Sequence, residues 1–392
     1  MSAHTDNPQD ALPDDEGSAF PLLLTPGPLT TSAATKDVMA NDWGSRDVEF
    51  IALLTSIRAR LLEIAHAGPE GECILLQGSG TFAIEAALSC FVPRDGKALV
   101  VINGAYGKRA VRILDYLGRA SSVLECGEAE TPDPAALETM LANDPAVTDV
   151  FLVHCETTSG IVNPLADLCA AVKSQGRRLI VDAMSSFGAL PIDMAALGID
   201  VLVSSANKCL EGVPGFAYVI AGRELLHQAE GRSHSLSLDL HDQWQAMERT
   251  GQFRFTPPTH TLVAFERALE EHEKEGGVAG RLARYTANRD VLVGALRALG
   301  IVPLLDDADA GPIIQTFHSP RDPRFDFERF YDALRERGYA IYPGKLTNAR
   351  TFRIGTIGAL DRTVMRGVAD AISDVLDTMG VTDLAPADTR TD

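Results

Sequence analysis

From Phe20 to about Ala221 the chain alternates short apolar runs with longer amphipathic stretches. The runs are Glu72–Gln77, Ala98–Asn103, Ser121–Cys126, Asp149–Glu156, Arg178–Met184, Val201–Lys208 and Gly215–Ala221. They are nearly continuous in apolar residues, as strands covered on both faces are. Segments such as Thr81–Phe91 and Arg109–Gly118 lie between them with helical spacing. This alternation predicts an α/β domain, doubly wound, with helices on both faces of the sheet. The last two runs stand too close for a helical crossover, so one of them is expected to run antiparallel. After about Thr259 the pattern changes. Helices are expected over Thr261–Glu275, up to Gly300, over Asp326–Arg337 and over Arg362–Met379, around short strands at Pro312–His318, Tyr339–Tyr342 and Thr351–Ile354. That reads as a smaller α+β domain at 261–392 beside a large domain at 20–260.

Composition narrows the possible partners. The chain has 392 residues, 45% of them apolar, enough for a large buried core and more than one domain. A formal net charge of -19 repels nucleic-acid backbones and anionic lipid, so neither is expected as a partner. The same charge sets a condition: a site for an anionic substrate must be locally basic. The six cysteines form no C-x-x-C pair, which argues against a zinc site or a disulfide framework. Residues 1–19 are acidic and polar, without the basic and apolar regions of a signal peptide, and are expected to form a disordered leader. The tail from Leu384 is expected to fray. No apolar stretch approaches the roughly 18 residues that span a bilayer, so a cytoplasmic location is expected.

In doubly wound sheets ligands bind beyond the carboxyl ends of the strands, so the polar residues there hold the candidate chemistry. Asp182 ends one apolar run and Lys208 follows another. A lysine in an apolar pocket is partly neutral and condenses with an aldehyde, and a buried carboxylate can keep a pyridine nitrogen protonated. Alternatively Asp182 caps a helix and Lys208 pairs with a surface acid. Gln77-Gly78-Ser79-Gly80-Thr81, between a strand and a helix, offers backbone N–H groups and hydroxyls to a phosphate, or else simply caps the helix. Tyr106 follows another run and could lie flat on a planar ligand, or pack. Thr157 or Thr158 could donate to a ring oxygen, whereas His154 reads as a core histidine. Arg353 in TFRIGTIG and Arg46 in WGSRDVEF are candidate clamps for an anion, with Arg46 equally able to pair with Asp47 or Glu49.

Taken in order, these stretches stop being independent. TPGP at 25–28, GSGT at 78–81, NGAYGKR, HCETTSGIVNP, VDAMSS, SSANK ending at Lys208, RFTPPTHT, YPGKLT and FRIGTIG together resemble the fold-type I, class V pyridoxal-phosphate aminotransferases. The resemblance runs from about residue 21 to 360 and is nearest the branch that acts on 2-aminoethylphosphonate and pyruvate. It implies a mainly parallel seven-stranded sheet, pyridoxal 5'-phosphate as cofactor, and an amine and a 2-oxo acid as substrates. It implies Lys208 as Schiff-base lysine and proton-transfer base, with Asp182 as partner of the ring nitrogen. Ser79, Gly80, Thr81 and Ser205 become phosphate ligands, Tyr106 the stacked ring, and Thr157 or Thr158 the neighbour of the phenolic oxygen. Thr256 resembles a phosphate ligand reaching across from a second subunit, which implies a homodimer with shared sites. Arg353 resembles the substrate-anion clamp. One departure concerns the donor: Gly44-Ser45-Arg46-Asp47 stands where a Cys/Thr-Trp-Asp-like run is expected, so an alanine- or serine-glyoxylate type of aminotransferase is the alternative. A cysteine desulfurase would need a mobile nucleophilic cysteine on a loop, and a binding protein on this fold would lack the colour of a lysine-bound cofactor.

Overall fold

The computed structural model describes residues 20–387, so the leader expected at 1–19 and the last five residues of the tail lie outside the described residues. Strands β1 (Gly71–Gln77), β2 (Lys97–Ile102), β3 (Ala120–Glu125), β4 (Val147–Val153), β5 (Arg178–Asp182), β6 (Val201–Ser205) and β7 (Phe216–Gly222) form one sheet of seven strands, in the order β1-β7-β6-β5-β4-β2-β3. The pairs among β3, β2, β4, β5 and β6 are parallel; β7 runs antiparallel to both β6 and β1, as the short spacing required.

Residues alternate between the two faces because successive side chains on a strand point oppositely. Cys73 and Leu75 join one core with helices α1 (Val48–Ile64), α4 (Pro134–Asn143), α5 (Leu165–Ser174) and α7 (Thr259–Lys274). Ile74 and Leu76 join the other with α2 (Gly80–Phe91), α3 (Ala105–Tyr116) and α6 (Leu240–Thr250). On α1 the buried residues Phe50, Leu54, Ile57 and Leu61 fall at helical spacing and form one stripe against the sheet. Each such burial removes about 1.5–3 kcal/mol worth of apolar surface from water.

A third core belongs to a C-terminal body. Strands β8 (Ile314–His318), β9 (Tyr342–Pro343) and β10 (Thr351–Gly355) make an antiparallel sheet, packed by the end of α8 (Gly277–Leu299) and by α9 (Phe327–Glu336) and α10 (Arg362–Met379). Two segments pack across the boundary expected at 260. Leu22–Leu23 pairs with Tyr339–Ala340 and Leu24 enters the C-terminal core, whereas Leu262, Phe265 and Leu269 of α7 enter the large one.

Two strands stop earlier than their apolar runs. β6 ends at Ser205, and the chain turns back toward antiparallel β7 through a loop that carries Lys208. β4 ends at Val153; Cys155–Glu156 then pairs with Ile161–Val162 in a small hairpin whose turn contains Thr157 and Thr158. In both places the residues past the strand end are largely polar yet buried or half-buried, so they carry the polar groups of the cavity wall.

Candidate active site

The carboxyl ends of β1, β2, β4, β5 and β6 open on one cavity. Its lining includes Ser79, Gly80, Thr81, Tyr106, Asp182, Ser205 and Lys208, all singled out from the sequence. Asp182 and Lys208, far apart in sequence, face the same space because β5 and β6 are parallel neighbours.

The Asp182 carboxyl is fully buried, and burial pushes it up to about 7; the Met184 N–H donates to its Oδ1 at 2.9 Å. Burial pushes the Lys208 amine the other way, down to about 8. Its Nζ donates to the Pro26 and Gly27 carbonyls at 2.8 and 3.1 Å. The Thr-Pro-Gly-Pro segment is thus the wall behind the lysine. Gly27 has φ +106°, and a Cβ there would sit 2.6 Å from the Lys208 side chain, so only glycine fits.

Ser79 occupies the N-cap of α2, yet its side chain makes no capping bond to that helix. The helix-cap alternative therefore does not consume the Ser79 hydroxyl. The first N–H groups of α2 have no intrahelical acceptor and, with the helix dipole, favour an anion. Ser205 Oγ donates to Asn207 Oδ1 at 3.1 Å inside the same cavity.

Tyr106 is held from three sides. The Thr157 hydroxyl donates to its oxygen at 3.3 Å, the Arg109 guanidinium lies 4.9 Å from its ring centroid, and its N–H donates to Glu156 at 3.2 Å. Glu156 is buried under the start of α3 and also accepts from the Thr158 N–H (3.1 Å) and hydroxyl. Burial holds its carboxyl above the usual range. A Cβ on Gly104 would meet the Glu156 side chain at 2.3 Å, which explains the glycine before the helix. The hydroxyl of Thr158 is engaged by Glu156, whereas Thr157 faces Tyr106.

Arg353, in the middle of β10, is 1% exposed. Its Nη1 donates to the Thr157 carbonyl at 2.7 Å and its Nε to the Pro343 carbonyl at 3.0 Å, while Nη2 is buried with no protein partner among the described residues. Arg353 is not among the residues that line the cavity; it lies behind Thr157, whose hydroxyl bonds the lining residue Tyr106. Thr256 and Arg46 are not brought to this cavity within the chain: both are exposed. His154 is a buried residue of the sheet edge, with burial pushing it down to about 4.

Arg109 was missed in reading the sequence. It lies three residues after Tyr106 on α3 and donates to Thr81 Oγ1 at 3.1 Å, so helical spacing from the aromatic would have found it. The role of Glu156 under the Tyr106 N–H was missed too, since nothing local pairs the end of one strand with the start of a distant helix.

Residues 35–349 match the family described as Aminotransferase class-V. The chain belongs to the class-V aminotransferases. It is 53% identical over 367 residues to a 2-aminoethylphosphonate–pyruvate transaminase of Paraburkholderia xenovorans, covering 93% of this chain and 94% of that one. It is 52% identical to the Rhizobium meliloti protein of the same name, covering 93% and 96%. Among solved structures, the pyridoxamine-pyruvate aminotransferase of Mesorhizobium loti superposes with a TM-score of 0.85 at 23% identity, covering 93% of this chain and 94% of that one. An aspartate aminotransferase from Thermus thermophilus gives 0.82 at 25% identity, covering 91% and 99%. The fold-type I architecture expected from the sequence is therefore observed, and this class-V aminotransferase uses pyridoxal phosphate.

The cavity suits that cofactor. It offers an uncapped hydroxyl and helix N–H groups at one end, an aromatic face, a buried carboxyl with no ion pair among the described residues, and a partly neutral lysine.

Proposed function

We propose that the protein transfers the amino group of 2-aminoethylphosphonate to pyruvate, giving phosphonoacetaldehyde and alanine in phosphonate breakdown. The observation that carries this reading is the identity above 50%, over 93% of the chain, to transaminases named for that reaction. The open Nη2 of buried Arg353 supports it, because the donor and pyruvate share only an anionic group besides the exchanging centre.

Pyridoxal phosphate, when bound, supplies an aldehyde for amine exchange and a protonated ring that draws electrons from the carbon losing its proton. Ser79, Gly80, Thr81 and Ser205 would hold its phosphate, Tyr106 its face, Thr157 its phenolic oxygen and Asp182 its ring nitrogen. Asp182, whose carboxyl burial holds above the ordinary range, would serve as the counterion of a protonated ring nitrogen. Lys208 Nζ, once free and neutral, takes the proton from the substrate carbon that bears the amine. The Pro26 and Gly27 carbonyls accept from that nitrogen and hold it at the cavity wall. Arg353 binds the donor's phosphonate in one half-reaction and the carboxylate of pyruvate in the other; this reading gives the role to Arg353 rather than Arg46.

Thr256 acts on the phosphate of a partner subunit in this proposal, and the protein is a homodimer. Phe82, next to Thr81, is 51% exposed, Phe255, next to Thr256, is 42% exposed and Leu236 is 74% exposed. Arg254 bonds the Leu236 carbonyl at 2.8 Å and so draws Leu236 toward Phe255 and Thr256. Exposed aromatic and aliphatic groups beside a site of this kind fit a subunit interface. No helix among the described residues is long and apolar enough to cross a membrane, in keeping with the cytoplasmic location we assign.

A desulfurase reading finds little support. Five of the six cysteines are buried, and burial pushes even half-exposed Cys126 above the ordinary thiol range. The test is to add single amines to the yellow, cofactor-loaded protein with no acceptor present. 2-Aminoethylphosphonate and alanine should bleach it. Bleaching by serine but not by 2-aminoethylphosphonate would overturn the reading in favour of a glyoxylate-type enzyme.

A further inference from the structure

Lys208 is held at its backbone and at its amine, and both holds lead to the first turns of α8. Arg281, Arg284, Tyr285 and Asn288 recur there at helical spacing and form one polar stripe. Arg281, Tyr285 and Asn288 are buried and Arg284 is half-buried, so the stripe needs partners inside the protein. It finds them on either side of the lysine.

On the backbone side, the Glu211 N–H donates to the Lys208 carbonyl at 2.8 Å and closes the turn that carries the lysine. Arg281 Nη1 donates to the carbonyl of Cys209, the next residue. The Glu211 carboxylate accepts from the Tyr285 hydroxyl at 2.5 Å and from Arg284 Nη2 at 2.8 Å. Glu275, just after α7, accepts from Arg281 Nε at 2.7 Å and Arg284 Nε at 2.6 Å, so two carboxylates face two guanidiniums.

On the amine side, Arg284 Nη1 donates to the Gly358 and Leu360 carbonyls, and Asn288 Nδ2 to the Thr356 and Leu360 carbonyls. That segment in turn grips the wall behind the lysine. The Gly355 N–H donates to the Leu24 carbonyl and the Ala359 N–H to the Thr30 carbonyl, both at 2.8 Å. These two bonds bracket Pro26 and Gly27, whose carbonyls accept from Lys208 Nζ.

Glu211 has φ +59°, in the left-handed region that glycine adopts without strain. Glycine there would relax the turn and lose the carboxylate. Desolvation cancels much of the attraction in so buried a cluster, so stability alone does not account for it.

We propose that Glu211 and Tyr285 are positioning residues for Lys208, pinning the turn at 208–211 to α8 so that the amine stays within reach of the reacting carbon. The inference rests on the role proposed above for Lys208 and is independent of the amino donor. Neither residue lines the cavity, so both act through the lysine. Misplacing a reacting group by about 1 Å costs up to about a hundredfold in rate. Binding of the substrate's anionic group does not use the amine and is spared.

The test follows three signals. Uptake of pyridoxal phosphate by the stripped protein is timed at about pH 9, where most of the Lys208 amine is neutral. Bleaching of the loaded protein by alanine is timed across alanine concentrations. Visible circular dichroism reports how firmly the lysine-bound cofactor is oriented. Glu211→Gln should slow uptake and the maximal bleaching rate by about 10–100-fold, keep half-saturation by alanine within about twofold, and weaken the dichroism. Tyr285→Phe, which removes one hydroxyl and keeps the ring, should give the same pattern at about 3–10-fold. Thermal unfolding is measured alongside, and if Glu211→Gln does not fold, Tyr285→Phe decides. Variants that melt earlier but keep wild-type uptake, maximal bleaching and dichroism overturn the proposal, as does a raised half-saturation at unchanged maximal rate. Lys208→Ala separates this inference from the reading beneath it. If that variant still takes up pyridoxal phosphate as a yellow adduct that borohydride fixes to the chain, the role of Lys208 falls. If it does not, and the other two variants match wild type, only the positioning falls.

Discussion

Asp182→Asn in the cofactor-free protein gives the sharpest test of how the cavity is built. Burial carries the Asp182 carboxyl from its ordinary 3.8 to about 7, with the attraction of Lys208 already included. At about 1.4 kcal/mol per tenfold change in a protonation equilibrium, that displacement penalises the ionised group in the folded chain by about 4 kcal/mol. The sign follows from proton binding. The folded carboxyl holds its proton more tightly than the unfolded one, so stability is lost as pH rises from 3.8 to about 7 and is level above that. Asparagine keeps the shape, and its Oδ1 still accepts from the Met184 N–H, but it has no charge to desolvate. The variant should therefore be more stable than wild type by about 2–4 kcal/mol near pH 8, the lower value applying where water in the cavity relieves the carboxylate. Near pH 5 the gain should fall to less than half of that. Urea unfolding of both cofactor-stripped proteins, followed by fluorescence of Trp43 and Trp244, measures the difference across pH. Adding pyridoxal phosphate should reverse the order, since only the wild-type carboxylate gains from a ring N–H⁺. An asparagine variant no more stable than wild type near pH 8, or a difference that does not grow between pH 5 and 8, would refute the reasoning.

Burial lowers the Lys208 amine to about 8, and only the neutral amine attacks an aldehyde. The rate at which the stripped protein takes up pyridoxal phosphate should therefore rise roughly tenfold per pH unit up to about 8 and level off above it, as followed by stopped-flow absorbance. Arg353→Met should raise KM for both 2-aminoethylphosphonate and pyruvate roughly 10–100-fold in steady-state assays, with a smaller fall in kcat. Gly104→Ala puts a methyl 2.3 Å from the Glu156 side chain and should cost about 1–3 kcal/mol in thermal unfolding, together with weaker retention of cofactor. Phe255→Asp should shift the protein to monomers in sedimentation and weaken cofactor binding in parallel; a cofactor-saturated monomer would contradict shared sites.

Most of the sheet was legible because every strand but the half-exposed edge strand β3 is buried on both faces and leaves a nearly unbroken apolar run. The antiparallel β7 was legible from spacing alone, since Ser205 and Phe216 leave too little chain for a crossover. The lysine, the aspartate and the cradle at 79–81 followed from one rule, that ligands collect at the carboxyl ends of parallel strands. Where each strand stops was not legible. Val201–Lys208 and Asp149–Glu156 run on past Ser205 and Val153 into loops that are largely buried or half-buried, so burial gives no sign of where the ladder ends.

The order of residues along the chain determined the class of fold, the lysine and the carboxylate that face its cavity, because these depend on local pattern and on the end of a strand. Only the tertiary structure decided which charges meet. Arg353 and Thr157 touch through a backbone carbonyl, Glu156 sits under Tyr106, and Arg109 on α3 bonds Thr81 on α2. Contacts between distant segments depend on how two bodies pack, and no local periodicity encodes that.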